Sequence, residues 1–125
     1  MKEETKVNGK DLNERTKVFA LAVIRLFSSL PKSPEAQVIG KQVLRSGTSV
    51  GANYREAFRG RSKAEFIAKA GDCLKELEET AYWFELLLEG GISPAAKLEI
   101  LDKECHELIA IFVTILKKSK ANENL

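Results

Sequence analysis

The stretch SKAEFIAKAGDCLKELEETAYWFELLLEGG, residues 62–91, decides the fold. Ser62, Lys63, Ala64 and Glu65 spell a capping box, in which the serine hydroxyl and the glutamate satisfy backbone donors of a starting helix reciprocally. Behind it Phe66, Ala70, Cys73, Leu77, Thr80, Ala81, Phe84 and Leu88 recur at three- and four-residue steps, which is the buried stripe of a helix. Gly90-Gly91 stops it by supplying a residue that adopts left-handed backbone at no steric cost.

The flanking segments read the same way. From Asp11 to Leu30 the apolar residues Leu12, Phe19, Ala22, Val23, Leu26, Phe27 and Leu30 keep helical spacing, and Pro31 ends the run. A second helix starts near Ser33-Pro34, carries Ile39, Val43, Gly47, Val50, Tyr54 and Ala57, and breaks at Gly60. A fourth starts at Ser93-Pro94 with Leu98, Leu101, Cys105, Leu108, Ile109, Phe112 and Leu116 on its stripe. Long helices joined by loops of a few residues predict an all-α, up-down-up-down antiparallel four-helix bundle. The bundle is expected over residues 11–118, between a flexible N-terminal tail, 1–10, and a disordered C-terminal tail, 119–125.

Composition agrees. The chain has 125 residues, 44% hydrophobic and 30% charged, an ordinary globular mixture for one domain. The longest apolar run, Val18 to Ile24, is far short of the roughly 18 residues a membrane span needs, and Met1 to Lys10 lacks the apolar core of a signal peptide. A cytoplasmic protein with no membrane association is expected. Cys73 and Cys105 fall on core stripes and read as reduced thiols acting as small hydrophobes.

Two features go beyond a lone bundle. Gly40, Gly47 and Gly51 share one flank of the second helix, and each costs roughly 1 kcal/mol against alanine in a helix interior, so a neighbouring helix is expected to approach closely there. Large apolar side chains also fall off the core stripes: Leu21 and Ile24 on the first helix, Tyr82, Trp83 and Leu86 on the third, Ile100 and Ile111 on the fourth. Grouped on three helices, and including the single Trp, they point to a homo-oligomer interface.

The charge total hides a partition. Residues 41–70 carry seven cations against two acids, whereas residues 71–107 carry ten acids against three lysines. Arg55, Arg59, Arg61 and Lys63 cluster at the turn between the second and third helices, where they could contact phosphates, with Arg45 further back on the second helix. The alternative is a solvated loop whose cations suit a helix C-terminus.

Enzyme chemistries find little support. A di-iron bundle needs Glu-x-x-His pairs, and the single histidine, His106, is preceded three residues earlier by Lys103. Cys105 and His106, adjacent on a helix, point apart and do not form a zinc pair. No Gly-rich phosphate loop occurs, and a triad lacks an imidazole other than His106. Glu76 and Glu79 with Glu99 and Asp102 fit loosely the carboxylates of a magnesium-dependent nucleotide pyrophosphatase, the remaining enzyme alternative. No catalytic residue, metal or cofactor is expected.

The wording Arg45-Ser46-Gly47-Thr48-Ser49-Val50-Gly51-Ala52-Asn53, then Glu56, then Arg61-Ser62-Lys63-Ala64-Glu65-Phe66-Ile67, and later Lys75-Glu76-Leu77-Glu78-Glu79-Thr80 with Tyr82-Trp83, is specific. It resembles the four-helix bundle proteins named for intervening sequences in 23S ribosomal RNA genes, over about residues 12 to 118. The resemblance implies a small helical subunit, typically a homopentamer forming a ring, with no known enzymatic activity. A similar pentamer, the accessory protein of diversity-generating retroelements, binds nucleic acid and a reverse transcriptase through a basic surface.

Within the motif Arg45, Ser49, Asn53 and Glu56 form a polar line on the second helix. It suits hydrogen bonding across a subunit boundary, with Arg45 or Arg55 pairing carboxylates of a neighbour's third helix; alternatively Arg45 and the loop arginines hold phosphate. The expected function is a non-enzymatic homo-oligomeric scaffold binding RNA or DNA weakly through the basic turn. A protein-interaction module without a nucleic-acid role is the alternative.

Overall fold

The computed structural model describes residues 11–123. They form four helices, α1 (Leu12–Ser29), α2 (Pro34–Phe58), α3 (Lys63–Glu89) and α4 (Ala95–Glu123), with no strand among the described residues. The tail expected at 1–10 lies outside them, as do residues 124 and 125. At the other end, 119–123 continue α4 where the sequence reading places a tail. No Gly or Pro follows Pro94 to interrupt the helix, and Lys120 sits in its last turn, where a cation suits the helix dipole.

Capping follows the sequence at two of three starts. Ser33 Oγ accepts the Ala36 N–H with Pro34 at the first helical position. Ser62 Oγ accepts the Glu65 N–H at 3.1 Å, while the Glu65 carboxylate reaches one residue further than a capping box requires, to the N–H of Arg61 at 3.0 Å. Ser93 departs from expectation: its Oγ is buried with no hydrogen-bond partner among the described residues, so α4 starts after Pro94 without a serine cap. Gly91, at φ 68°, takes the left-handed turn after α3, and Ile92 N–H bonds Leu87 O at 2.9 Å.

Side-chain contacts fix the antiparallel register. As positions on α2 advance through Gly40, Gly47 and Gly51, the residues they face step back along α1, from Leu30 at its C-terminal cap through Val23 to Thr16. Between α2 and α3, Ser46 faces Thr80, Val50 faces Cys73 and Glu56 faces Lys69. Cys105 of α4 faces Leu77 of α3, and Arg15 of α1 grips Glu104 and Glu107 of α4. Hydrogen bonding to Glu104 raises the Arg15 guanidinium further above its already high range, so this clasp stays charged.

The three glycines are where α1 lies closest. A Cβ at Gly40 would stand 2.7 Å from Leu30 Cδ1, at Gly47 2.8 Å from Val23 Cγ2, and at Gly51 3.2 Å from Thr16 Oγ1. Close helix packing, as expected, accounts for them. The core is built from Phe19, Val23, Val43, Val50, Tyr54, Leu77, Phe84, Leu98, Leu108 and Phe112, with Tyr54 edge-on to Phe112 at 5.6 Å across the bundle. On α3 the stripe closes on Leu87 rather than Leu88, which is 40% exposed. Both cysteines are buried and free, and burial pushes each thiol up to about 12.

Candidate functional site

The α2–α3 turn is tight. Gly60 N–H bonds Ala57 O at 2.9 Å, and a Cβ there would stand 3.0 Å from that same oxygen. Ser62 then restarts the helix, so the chain reverses within four residues and concentrates the cations of both helix ends. Arg55, Arg59, Arg61 and Lys63 are all exposed. No carboxylate lies within ion-pair reach of any of them among the described residues.

The two nearby acids are already engaged. Lys69 Nζ holds Glu56 at 2.8 Å, and that hydrogen bond keeps the Glu56 carboxyl below its usual range. Glu65 is turned to the Arg61 backbone N–H. Arg59, Arg61 and Lys69, with Glu56 and Glu65, line a shallow cleft of about 250 Å³. Beside it Phe58, 54% exposed, sets its ring tilted against that of Tyr54, with 6.1 Å between centroids. Phe58 was not singled out from the sequence, although its position between Arg55 and Arg59, off the α2 core stripe, is the signal that marks it.

Arg45 is not part of this patch. It lies roughly 20 Å back along α2 at 1.5 Å per residue, and its guanidinium bonds Glu79 at 2.5 Å and Glu76 at 3.3 Å. These are carboxylates of its own α3, so neither the phosphate contact nor the pairing with a neighbour's third helix is needed to satisfy Arg45. The Glu79 hydrogen bond raises the guanidinium further above its ordinary range. Two more members of the polar line are met inside the chain: Ser49 Oγ donates to Arg45 O at 2.6 Å and Glu56 pairs with Lys69. Asn53 is half-buried and its side chain bonds none of the described residues.

The same pairing separates the carboxylates of the pyrophosphatase alternative. Glu76 and Glu79 face Arg45 on the α2 side of α3, whereas Glu99 and Asp102 line a groove on its α4 side. Among the described residues no group of three or more His, Cys, Asp or Glu side chains is placed to hold a metal ion. His106 is exposed, its Nδ1 2.9 Å from Asp102 O.

Of the off-core apolar residues, Leu21, Ile24, Tyr82 and Ile100 are exposed, at 44, 43, 53 and 77%. Trp83, Leu86 and Ile111 are half-buried, and Trp83 and Ile111 pack against the core. The Trp83 indole N–H is buried without a hydrogen-bond acceptor among the described residues. Val18, Val38, Phe58 and Leu88 are further exposed apolar side chains. No helix of the described residues is long and apolar enough to cross a membrane.

No curated protein matches the chain. A crystal structure of a protein of unknown function from the S23 ribosomal protein family of Bacteroides thetaiotaomicron is similar over 88% of this chain and 98% of its own. The two share 34% sequence identity, with a TM-score of 0.82. The family model for the 23S rRNA-intervening sequence protein matches residues 11–114, which take in α1 to α3, the greater part of α4, the Arg45–Asn53 motif and the cationic turn. The chain belongs to the 23S rRNA-intervening sequence protein family.

Proposed function

We propose that this protein is a non-enzymatic, cytoplasmic, homo-oligomeric scaffold, a pentameric ring by its family resemblance, that binds RNA or DNA weakly through the α2–α3 turn. The observation that carries the nucleic-acid reading is the set of four exposed cations, Arg55, Arg59, Arg61 and Lys63, whose side chains meet no carboxylate among the described residues while Glu56 is held by Lys69 and Glu65 by a backbone N–H. Such cations contact phosphates without reading sequence. Phe58 adds an exposed ring of the kind on which unpaired bases stack. Repetition of the turn around an oligomer multiplies these weak contacts.

A salt titration of binding to a single-stranded RNA and a duplex DNA tests the proposal, because displaced counterions make affinity fall steeply with salt. Wild type binds at low salt, and the combined Arg55→Glu, Arg59→Glu and Arg61→Glu variant does not. Absence of wild-type binding at low salt leaves a protein-interaction scaffold, the reading that the exposed Leu21, Ile24, Tyr82 and Ile100 support on their own. Mass in solution tests the oligomer directly.

A further inference from the structure

Two grooves flank α4, and they are opposite in charge. The first, between α1 and α4, encloses about 600 Å³ and has Val18, Leu26 and Ile100 on its apolar walls with Arg25 and Lys97 at its rim. The second, between α3 and α4, encloses about 390 Å³ and pairs Tyr82 and Leu88 with Glu78, Glu85 and Glu99. Neither set of charges is satisfied within the chain: Arg25 and Lys97 meet no carboxylate, and Glu78, Glu85 and Glu99 meet no cation, among the described residues. Val18 and Ile100 on one side, and Tyr82 and Leu88 on the other, are each at least 40% exposed.

The two grooves also share a height. The α3–α4 register that sets Cys105 against Leu77 brings Ile100 level with Tyr82 and Lys97 level with Glu85. Both grooves lie at the end of the bundle where α1 and α3 finish and α4 begins. Because they open on adjacent faces, a contact between groove one of one copy and groove two of the next turns successive copies about an axis along the helices. Such head-to-tail contacts close into rings when the rotation allows.

We propose that the occupant of the α1–α4 groove is a second copy of this chain, presenting its α3–α4 face, with Arg25 and Lys97 opposite the neighbour's Glu85 and Glu99 and Ile100 packed on the neighbour's Tyr82. This deepens the homo-oligomeric reading and rests on it: it names the surfaces and makes the interface heterologous rather than two-fold. The apolar centre supplies the buried area, and the rim charges set orientation and reject the wrong faces, since like grooves repel.

Sedimentation equilibrium of the full chain tests it. Arg25→Glu with Lys97→Glu, or Glu85→Lys with Glu99→Lys, weakens association at least about tenfold, and the variant carrying all four changes regains the wild-type mass. Helicity by circular dichroism accompanies each measurement. An assembled wild type whose double variants stay assembled overturns this interface and leaves the oligomer standing, as does a fourfold variant that stays helical and monomeric. A monomeric wild type sinks the oligomeric reading itself. Independently of variant stability, mixing Ile100→Cys with Tyr82→Cys protein under oxidation gives cross-linked dimers containing one of each. Dimers of Ile100→Cys alone would indicate a two-fold contact and overturn the proposal.

Discussion

Ser46 Oγ of α2 lies 2.7 Å from Thr80 Oγ1 of α3, both side chains fully buried. Each hydroxyl also reaches the carbonyl four residues before it, Ser46 to Gln42 O at 2.9 Å and Thr80 to Glu76 O at 2.7 Å. Three oxygen–oxygen contacts share two protons, so one hydroxyl donates across the helix interface while the other bonds its own backbone. With Arg45 clasping Glu79 and Gly47 receiving Val23, three consecutive residues of the Arg45–Asn53 motif fix α2 against both neighbours.

Thr80→Val keeps the shape but removes the cross-helix partner, and should cost about 1 kcal/mol. Combining it with Ser46→Ala should cost less than the two single changes together, because no buried hydroxyl is then left without its mate. Urea unfolding of the double-mutant cycle at one protein concentration measures the coupling; strict additivity would remove the pair's cooperative role.

Two glycines should respond in opposite directions to the same change. Gly47→Ala drives a methyl against Val23 and should destabilise by about 1–3 kcal/mol, the usual cost of overpacking. Gly71→Ala, on α3 with nothing within 4 Å of the added carbon, should stabilise by roughly 0.5–1 kcal/mol through helix propensity. Val23→Ala should relieve much of the Gly47→Ala defect. Thermal melts of the three variants decide it.

The buried thiols predict an alkaline limit. Cys73 and Cys105 stay protonated in the folded state up to about 12, above the ordinary thiol value of 9.0. Between these values the unfolded chain releases protons that the folded chain keeps, so stability should fall as pH rises through this window and be unaffected by the thiols below it. Replacing both cysteines with alanine should flatten that part of the stability–pH curve, and alkylating reagents should reach neither sulfur without unfolding.

At the turn, charge and ring should separate. Arg59→Gln should reduce the slope of log affinity against log salt by about one, the mark of a lost phosphate contact. Phe58→Ala should weaken single-stranded binding by roughly tenfold with the slope unchanged, and affect duplex DNA little. Arg45→Gln, distant and paired to α3, should leave binding as it is and cost at most about 1 kcal/mol, less in high salt. Filter binding across a salt series reads all three.

The sequence by itself determined the four helices, because periodicity, the Ser33 and Ser62 caps, Pro34 and Gly91 are local signals that act within a few residues. It also marked Gly40, Gly47 and Gly51 as a close approach, since glycine in a helix interior is costly without a packing reason. Only the tertiary structure decided partners. Arg45 reads from the sequence as a ligand or subunit contact, and the fold sets Glu76 and Glu79 of α3 beside it, 31 and 34 residues away along the chain. The same folding step left Arg55, Arg59, Arg61 and Lys63 without an ion-pair partner among the described residues and set Glu99 and Asp102 in the α3–α4 groove, apart from Glu76 and Glu79. Which charges meet depends on the register of one helix on another, and that register comes from long-range packing that local sequence signals do not encode.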